Sequence, residues 1–215
     1  MNKMIKTLLA ALMVTSLAGC GSSTSFTSSD SETETENTAA ETSGEDDLIH
    51  DTVYVEMDIE DYGKVVLELD GSQAPITVTN FVNLVNSQFY DGLTFHRIMD
   101  GFMVQGGDPT GTGFGGSSQT IKGEFAQNGV ENNISHKTGV ISMARSSNMD
   151  SASSQFFICV ADDEFLDGSY AAFGHVSEGL DVMMQIAKDA EPIDDNGTIP
   201  AENQPKINNM KVIEG

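Results

Sequence analysis

The 215-residue chain has no tryptophan, only two cysteines, and ten basic residues against 33 acidic ones, for a formal net charge of −23. Binding nucleic acid or an anionic membrane face needs a basic surface, so neither is expected here. Two cysteines, Cys20 and Cys159, cannot make a disulfide framework. Four histidines, His50, His96, His136 and His175, have no Cys or His neighbours at metal-ligand spacing. No Gly-x-Ser-x-Gly elbow is present, and no Gly-Lys-Ser/Thr phosphate loop. Gly111-Thr112-Gly113-Phe114-Gly115-Gly116 has the letters of a dinucleotide fingerprint, but no helical period follows it. The stretch reads as a flexible loop. Asp162-Asp163-Glu164 lacks the glycine pattern of a calcium loop and reads as a solvated turn. No metal and no cofactor are expected. Hydrophobic residues make up 39% of the chain, enough for one domain with a real core or at most two small ones.

The N-terminus reads as an address. Lys3 and Lys6 precede an apolar stretch, Thr7 to Ala18, that is too short to span a bilayer as a helix. It ends in Leu17-Ala18-Gly19-Cys20, which resembles the lipobox of bacterial lipoproteins. The resemblance implies removal of residues 1–19, a diacylglyceryl thioether on Cys20, and an extracytoplasmic domain anchored to the bacterial cell membrane through that lipid. Residues 20–48 are rich in Ser, Thr and Glu, with eight acids and no base. Such a segment cannot bury enough apolar area to offset its ordering entropy, so it reads as a disordered tether with a reach on the order of 30 Å. Residues 49–215 remain as the folded domain, with 8 bases, 25 acids and a net charge of −17.

Within that domain Thr52–Ile59 alternates apolar and polar, Asp61-Tyr62-Gly63 offers a turn, and Lys64–Leu69 runs apolar, the pattern of a hairpin. Gln73-Ala74-Pro75 opens a helix with proline in its first turn, and Val78, Phe81, Val82, Val85 and Phe89 follow at helical spacing. Short strand-like runs come next, at 95–98, 102–105, 139–144, 155–160 and 171–176. Gly179–Lys188 reads as a second helix and Ile207–Ile213 as a last strand. Many short strands, glycine turns and two helices mean a mainly β domain, a barrel or a sandwich. Cys159 lies in the apolar run Gln155–Val160 and reads as a buried, inert thiol.

One strand carries a charge that its surroundings do not suit. Arg97 sits inside Phe95-His96-Arg97-Ile98-Met99, and an unpaired buried guanidinium is costly, so Arg97 belongs at a cleft or in a polar network. Gly101-Phe102-Met103-Val104-Gln105-Gly106-Gly107-Asp108 follows, then Met143-Ala144-Arg145, Ser153-Ser154-Gln155-Phe156-Phe157-Ile158 and Phe165-Leu166-Asp167-Gly168. In order, spacing and identity these blocks resemble the cyclophilin family, over essentially all of residues 52–213. The resemblance implies a closed eight-stranded antiparallel β-barrel capped by two α-helices, with a peptidyl-prolyl cis/trans isomerase site on its outer face. It makes Arg97 the catalytic arginine and Gln105 the polar group beside it. Phe102, Met103, Phe157 and Leu166 would line the proline pocket. Ala144 and Arg145 would offer backbone to the substrate, and Gln155 would flank the groove. Phe165, Tyr170 and Arg145 stand where many members have Trp, His and Asn. The first departure puts tight cyclosporin binding in doubt, since phenylalanine lacks the indole N–H. The last puts a second cation at the groove. The implied partners are proline-containing segments of exported proteins, met by a monomer. A non-catalytic proline-peptide binding or chaperone module is the alternative, and the presence of Arg97, Phe102, Gln105 and Phe157 weighs against it.

Overall fold

The computed structural model describes residues 47–215. The leader, Cys20 and all but the end of the tether lie outside the described residues. Eight strands and two helices follow: β1 (Thr52–Ile59), β2 (Gly63–Asp70), α1 (Pro75–Asn86), β3 (Thr94–Met99), β4 (Met103–Asp108), β5 (Val140–Met143), β6 (Phe156–Cys159), β7 (Ala172–Glu178), α2 (Leu180–Asp189) and β8 (Ile207–Ile213). Every strand expected from the sequence is present, and both helices start within a residue of the expected place. The strands form one antiparallel sheet in the order β3-β4-β6-β5-β7-β2-β1-β8.

The expected closed barrel is not what the ladder shows. The sheet is curled, and its edge strands β3 and β8 meet at one corner only. There Thr94 bridges Lys206, Phe95 N donates to Pro205 O at 2.9 Å, and Ile207 N donates to Leu93 O at 2.8 Å. Further along, the outer edge of β3 is already taken. Ile98 N donates to Gly197 O at 2.8 Å and Ile199 N to His96 O at 3.0 Å. The loop before β8 thus occupies the seam in place of a continuous β3–β8 ladder, and it brings Asn196 beside Arg97.

Strand alternation sorts the apolar residues onto two faces. Val55, Met57 and Ile59 of β1 and Val65, Leu67 and Leu69 of β2 point inward with Phe81 of α1, Phe156 and Phe173. The Phe81 ring lies 5.0 Å from Tyr90, 5.5 Å from Phe156 and 5.2 Å from Phe173. This filled interior leaves no room for a peptide. Met103, Phe157, Cys159 and Leu166 form a separate cluster, with Met99, Phe102, Ala144 and Tyr170 packed against it. Phe156 and Phe157 are neighbours in sequence and belong to opposite faces. Burial on both faces explains why β6 reads as an unbroken apolar run. Burial, and Asp163 beside it, push the Cys159 thiol far up, so it is inert as expected.

Ala74 is the N-cap of α1 and offers no side-chain cap. The missing cap comes from 48 residues away. Glu124, 2% exposed, accepts from Ile76 N at 3.0 Å, from Thr77 N at 2.8 Å and from Thr77 Oγ1 at 2.7 Å. A carboxylate at a helix N-terminus satisfies orphan amides and complements the helix dipole. Glu124→Ala leaves buried donors without partners and is expected to cost about 3 kcal/mol. Glu124→Gln, which keeps one acceptor, is expected to cost less than half of that. Urea unfolding of the two variants beside the parent chain measures both.

Candidate functional site

The site begins with two irregularities in the β3–β4 ladder. Thr94 pairs with Asp108, Phe95 with Gly106 and Arg97 with Gln105, so Gly107 and His96 are each an extra residue. Gly107 takes φ +83°, and a Cβ there would lie 2.4 Å from Ser154 O, so the position demands glycine. The bulge at His96 breaks the alternation of β3. Phe95 and Ile98 both enter the core, and Arg97 turns to the outer face. Registry then sets a row across four strands: Arg97 opposite Gln105, Gln105 opposite Phe157, Phe157 opposite Ser142. Cross-strand neighbours in such a row have side chains in contact range.

Arg97 is half-buried and held by neutral groups. Nε donates to Asn196 O at 2.7 Å, and Nη1 donates to Gln105 Oε1 at 3.1 Å. Met99 Sδ lies 3.4 Å from Nη2 and Met103 Sδ 3.8 Å from Nη1. None of these partners is a carboxylate, so the positive charge is not cancelled. Burial lowers the guanidinium from its usual value, with Tyr170 and Asp194 opposing, and an arginine so placed stays charged. The bonds continue in one direction. Gln105 Nε2 donates to Gln155 Oε1 at 2.9 Å, and Gln155 Nε2 donates to Gly115 O at 2.7 Å and Gly113 O at 3.1 Å.

The loop that receives this chain of bonds is pinned, not free as the sequence suggested. Asp108, 1% exposed, accepts from Thr110 N at 2.8 Å, Thr110 Oγ1 at 2.8 Å, Thr112 N at 3.1 Å, Gly113 N at 2.6 Å and Gly115 N at 3.1 Å. Burial alone would raise its pKa. The bonds from Thr110, Gly115 and Gly113 outweigh burial and hold the carboxyl at about 2.

Arg97, Phe102, Met103, Gln105, Ala144, Arg145, Phe157, Leu166 and Tyr170 line one open cavity of about 440 Å³. Nine of the eleven site residues expected from the sequence therefore converge. Gln155 lies in a neighbouring cavity of about 440 Å³, bordered by Ser117, Ser146, Ser151 and Ser153. Phe165 lies outside both cavities. It is 73% exposed, with its ring 5.7 Å from Phe102 at the rim. Phe157 is fixed by Tyr170 at 5.9 Å, edge to face, and by His136 stacked at 6.1 Å. His136 is buried, with Nδ1 2.8 Å from Asp167 Oδ1 and Nε2 3.0 Å from Ser142 Oγ. These are the partners of a nucleophilic triad, but Ser142 is fully buried and borders neither cavity. The trio braces Phe157.

One expectation is sharpened and another corrected. Arg145 borders the groove, and three of its five N–H groups are already bonded. Nε and Nη2 donate to Ser169 O at 3.0 and 2.8 Å, and Nη1 donates to Ser146 O at 2.9 Å. Its guanidinium lies 4.8 Å from the Tyr170 ring and 5.0 Å from Phe125, so it braces Tyr170 while its charge stays at the groove. Asp163 is buried, not solvated, and burial raises its carboxyl, while Asp162 and Glu164 on either side pair with Lys137. Sequence reasoning also missed His96, Thr112, Phe114, Asn196 and Thr198, which line the first cavity. Of these, Asn196 stands in an Asn-Gly pair, a turn signal that could have marked it. His96 has neither ring nitrogen partnered, and burial first of all, with Arg97 adding to it and Asp108 opposing, holds it below its usual range.

A family model for cyclophilin type peptidyl-prolyl cis-trans isomerase/CLD matches residues 54–212. The chain belongs to the cyclophilin family. Peptidyl-prolyl cis-trans isomerase A of Dickeya dadantii is 46% identical over 132 residues, 59% of this chain and 67% of that protein. Peptidyl-prolyl cis-trans isomerase B of Bacillus subtilis is 46% identical over 123 residues, 57% and 82% of the two chains. Among solved structures, the cyclophilin type isomerase of Cryptosporidium parvum, crystallised in the presence of the dipeptide Ala-Pro, matches with a TM-score of 0.66 at 29% identity, over 75% of this chain and 99% of that one.

In this cyclophilin the Asp108 carboxyl sits below its ordinary value of 3.8, so it stabilises the fold above that value and ceases to as pH falls through about 2. The difference corresponds to about 2.5 kcal/mol. Asp108→Asn is expected to be about 2 kcal/mol less stable at pH 7, with the gap to the parent closing between pH 4 and pH 2. Guanidinium unfolding at pH 7, 4, 3 and 2 follows that gap.

Proposed function

We infer that the chain is a peptidyl-prolyl cis/trans isomerase in which Arg97 stabilises the twisted X–Pro amide. The observation that carries this reading is a guanidinium without a carboxylate partner, fixed by Gln105 and Asn196, at the wall of a cavity that Phe102, Met103, Phe157 and Leu166 also line. An X–Pro bond rotates over a barrier of about 20 kcal/mol that comes from amide resonance. When the bond twists, resonance is lost and the proline nitrogen gains a basic lone pair. A donor already aimed at that nitrogen binds the twisted form better than either planar form, which is what lowers the barrier.

The pocket side chains have separate parts. Phe102, Met103, Phe157 and Leu166 hold the proline ring while the acyl side turns. Gln105 aims Arg97 and is itself aimed by Gln155. Ala144 and Arg145 offer main-chain groups to the peptide. Proline peptides suit such a pocket, and the Ala-Pro dipeptide used with the Cryptosporidium protein agrees with that.

The clients and the address extend the same proposal. The Leu17-Ala18-Gly19-Cys20 sequence supports a lipid-anchored, extracytoplasmic enzyme acting on exported proteins as they fold. The −17 charge of the domain favours encounter with basic clients, an effect that salt screens.

Exchange spectroscopy on an Ala-Pro peptide with the full-length chain tests the activity. Arg97→Ala is expected to lower kcat/KM at least 100-fold with an unchanged circular dichroism spectrum. Arg97→Lys is expected to recover little of it, because an ammonium cannot reproduce the fork. Near-normal turnover by folded Arg97→Ala would overturn the mechanism, and no acceleration by the parent chain would leave a proline-peptide binding module. The address is tested by fractionation: Cys20→Ala is expected to move the chain from the membrane to the soluble extracytoplasmic fraction.

A further inference from the structure

Phe114 is 96% exposed, yet the backbone on both sides of it is clamped. Gly113 N and Gly115 N donate to Asp108, and the carbonyls of the same two residues accept from Gln155. Phe114 N donates to Thr112 Oγ1 at 3.3 Å. A ring left in water adds nothing to folding, and roughly 150 Å² or more of its apolar surface stays uncovered. The fold therefore fixes the backbone that carries an aromatic side chain which it does not itself use.

That place is the wall between two cavities. Phe114 borders both, together with Gln105, Gly113, Ala144 and Arg145. A peptide whose proline sits against Phe157 in the first cavity passes Phe114 on its way to the second.

We propose that Phe114 is a specificity-determining residue that selects an aromatic or branched aliphatic side chain on a residue flanking the substrate proline. The proposal rests on the reading of the first cavity as the proline site. Because the loop is already clamped, covering the ring costs little backbone ordering entropy. An apolar side chain laid on the ring leaves water together with it. A cationic side chain meets Arg97 in the first cavity and Arg145 in both. A small or polar one covers little of the ring and loses its own hydration.

The test is a panel of equal-length peptides with one proline and Ala, Leu, Phe or Lys at each of the two positions before it and the one after. Affinity by titration calorimetry and kcat/KM by exchange spectroscopy are measured on the full-length chain. At one position Leu and Phe are expected to bind about tenfold more tightly than Ala, with Lys below Ala. Phe114→Ala is expected to bring the Leu-to-Ala ratio close to one, and Phe114→Leu to keep most of it. Thermal unfolding checks that the variants remain folded. A Leu-to-Ala ratio that is the same in Phe114→Ala as in the parent overturns the proposal, and so does a parent chain with no preference at any position. If no peptide is turned over but the binding ratio still depends on Phe114, the proposal stands and the isomerase reading falls.

Discussion

Between Phe95 and Ile98, β3 holds one residue more than β4 opposes, and the geometry of the site follows from that extra residue. In a regular strand Phe95 and Arg97 would share a face, and Arg97 would enter a core built from Phe81, Phe156 and Phe173. An unpaired guanidinium there would destabilise the fold severely. The bulge lets Phe95 and Ile98 pack inward while Arg97 faces out. Gly107 makes the compensating irregularity on β4, where only glycine clears Ser154. Arg97, Gln105 and Phe157 then fall in one row, because their strands are hydrogen-bonded neighbours in that register.

The bonds running from Arg97 through Gln105 and Gln155 to the Asp108 loop join two regions of different sequence character. On one side are apolar strands, on the other a glycine-rich loop with no regular structure. The loop is held by a single buried carboxylate accepting from its backbone, a stronger arrangement than bonds between neutral groups. Ordering of the loop orders Gln155, Gln155 orients the Gln105 amide, and the amide fixes which face of the guanidinium is turned to the cavity. The same carboxylate that stabilises the fold is therefore coupled to the aim of the cation.

Local signals carried most of the fold. Strands β1 and β8 were readable at their observed bounds, because alternation and turn residues are properties of neighbouring positions. The helix at Pro75 was readable from its period, but its cap was not, since Glu124 lies 48 residues beyond the Ile76 amide it caps and nothing in its surroundings marks it. The seam also escaped, because whether β3 pairs with β8 or with residues 197–199 is decided by how a long loop packs. At the site, the blocks around Arg97, Phe157 and Leu166 named residues that come together at one cavity. They did not show that Arg145 bonds the carbonyls of Ser169 and Ser146, or that Phe165 stands outside the cavity. Those outcomes depend on distances between segments, which spacing along the chain does not encode. Phe114 was passed over for a related reason. Read as part of a glycine-rich loop, it had no fixed place until Asp108 and Gln155 gave the loop one.

The two arginines of this acidic chain show why the residue type matters at each place. Arg145 lies between two aromatic rings and bonds two carbonyls, using its flat shape as much as its charge. Arg97 uses its fork. One N–H anchors on Asn196 in the seam loop, a second on Gln105 in β4, and the thioethers of Met99 and Met103 shield the group without neutralising it. A lysine has a single flexible ammonium, strongly hydrated, and cannot reach two anchors while presenting a further N–H to a third group. A carboxylate partner would hold the arginine more firmly and would also cancel the field that the proposed mechanism requires. Neutral anchors on two different elements give a fixed direction and leave the charge free, and in this fold the bulge and the seam loop together supply them.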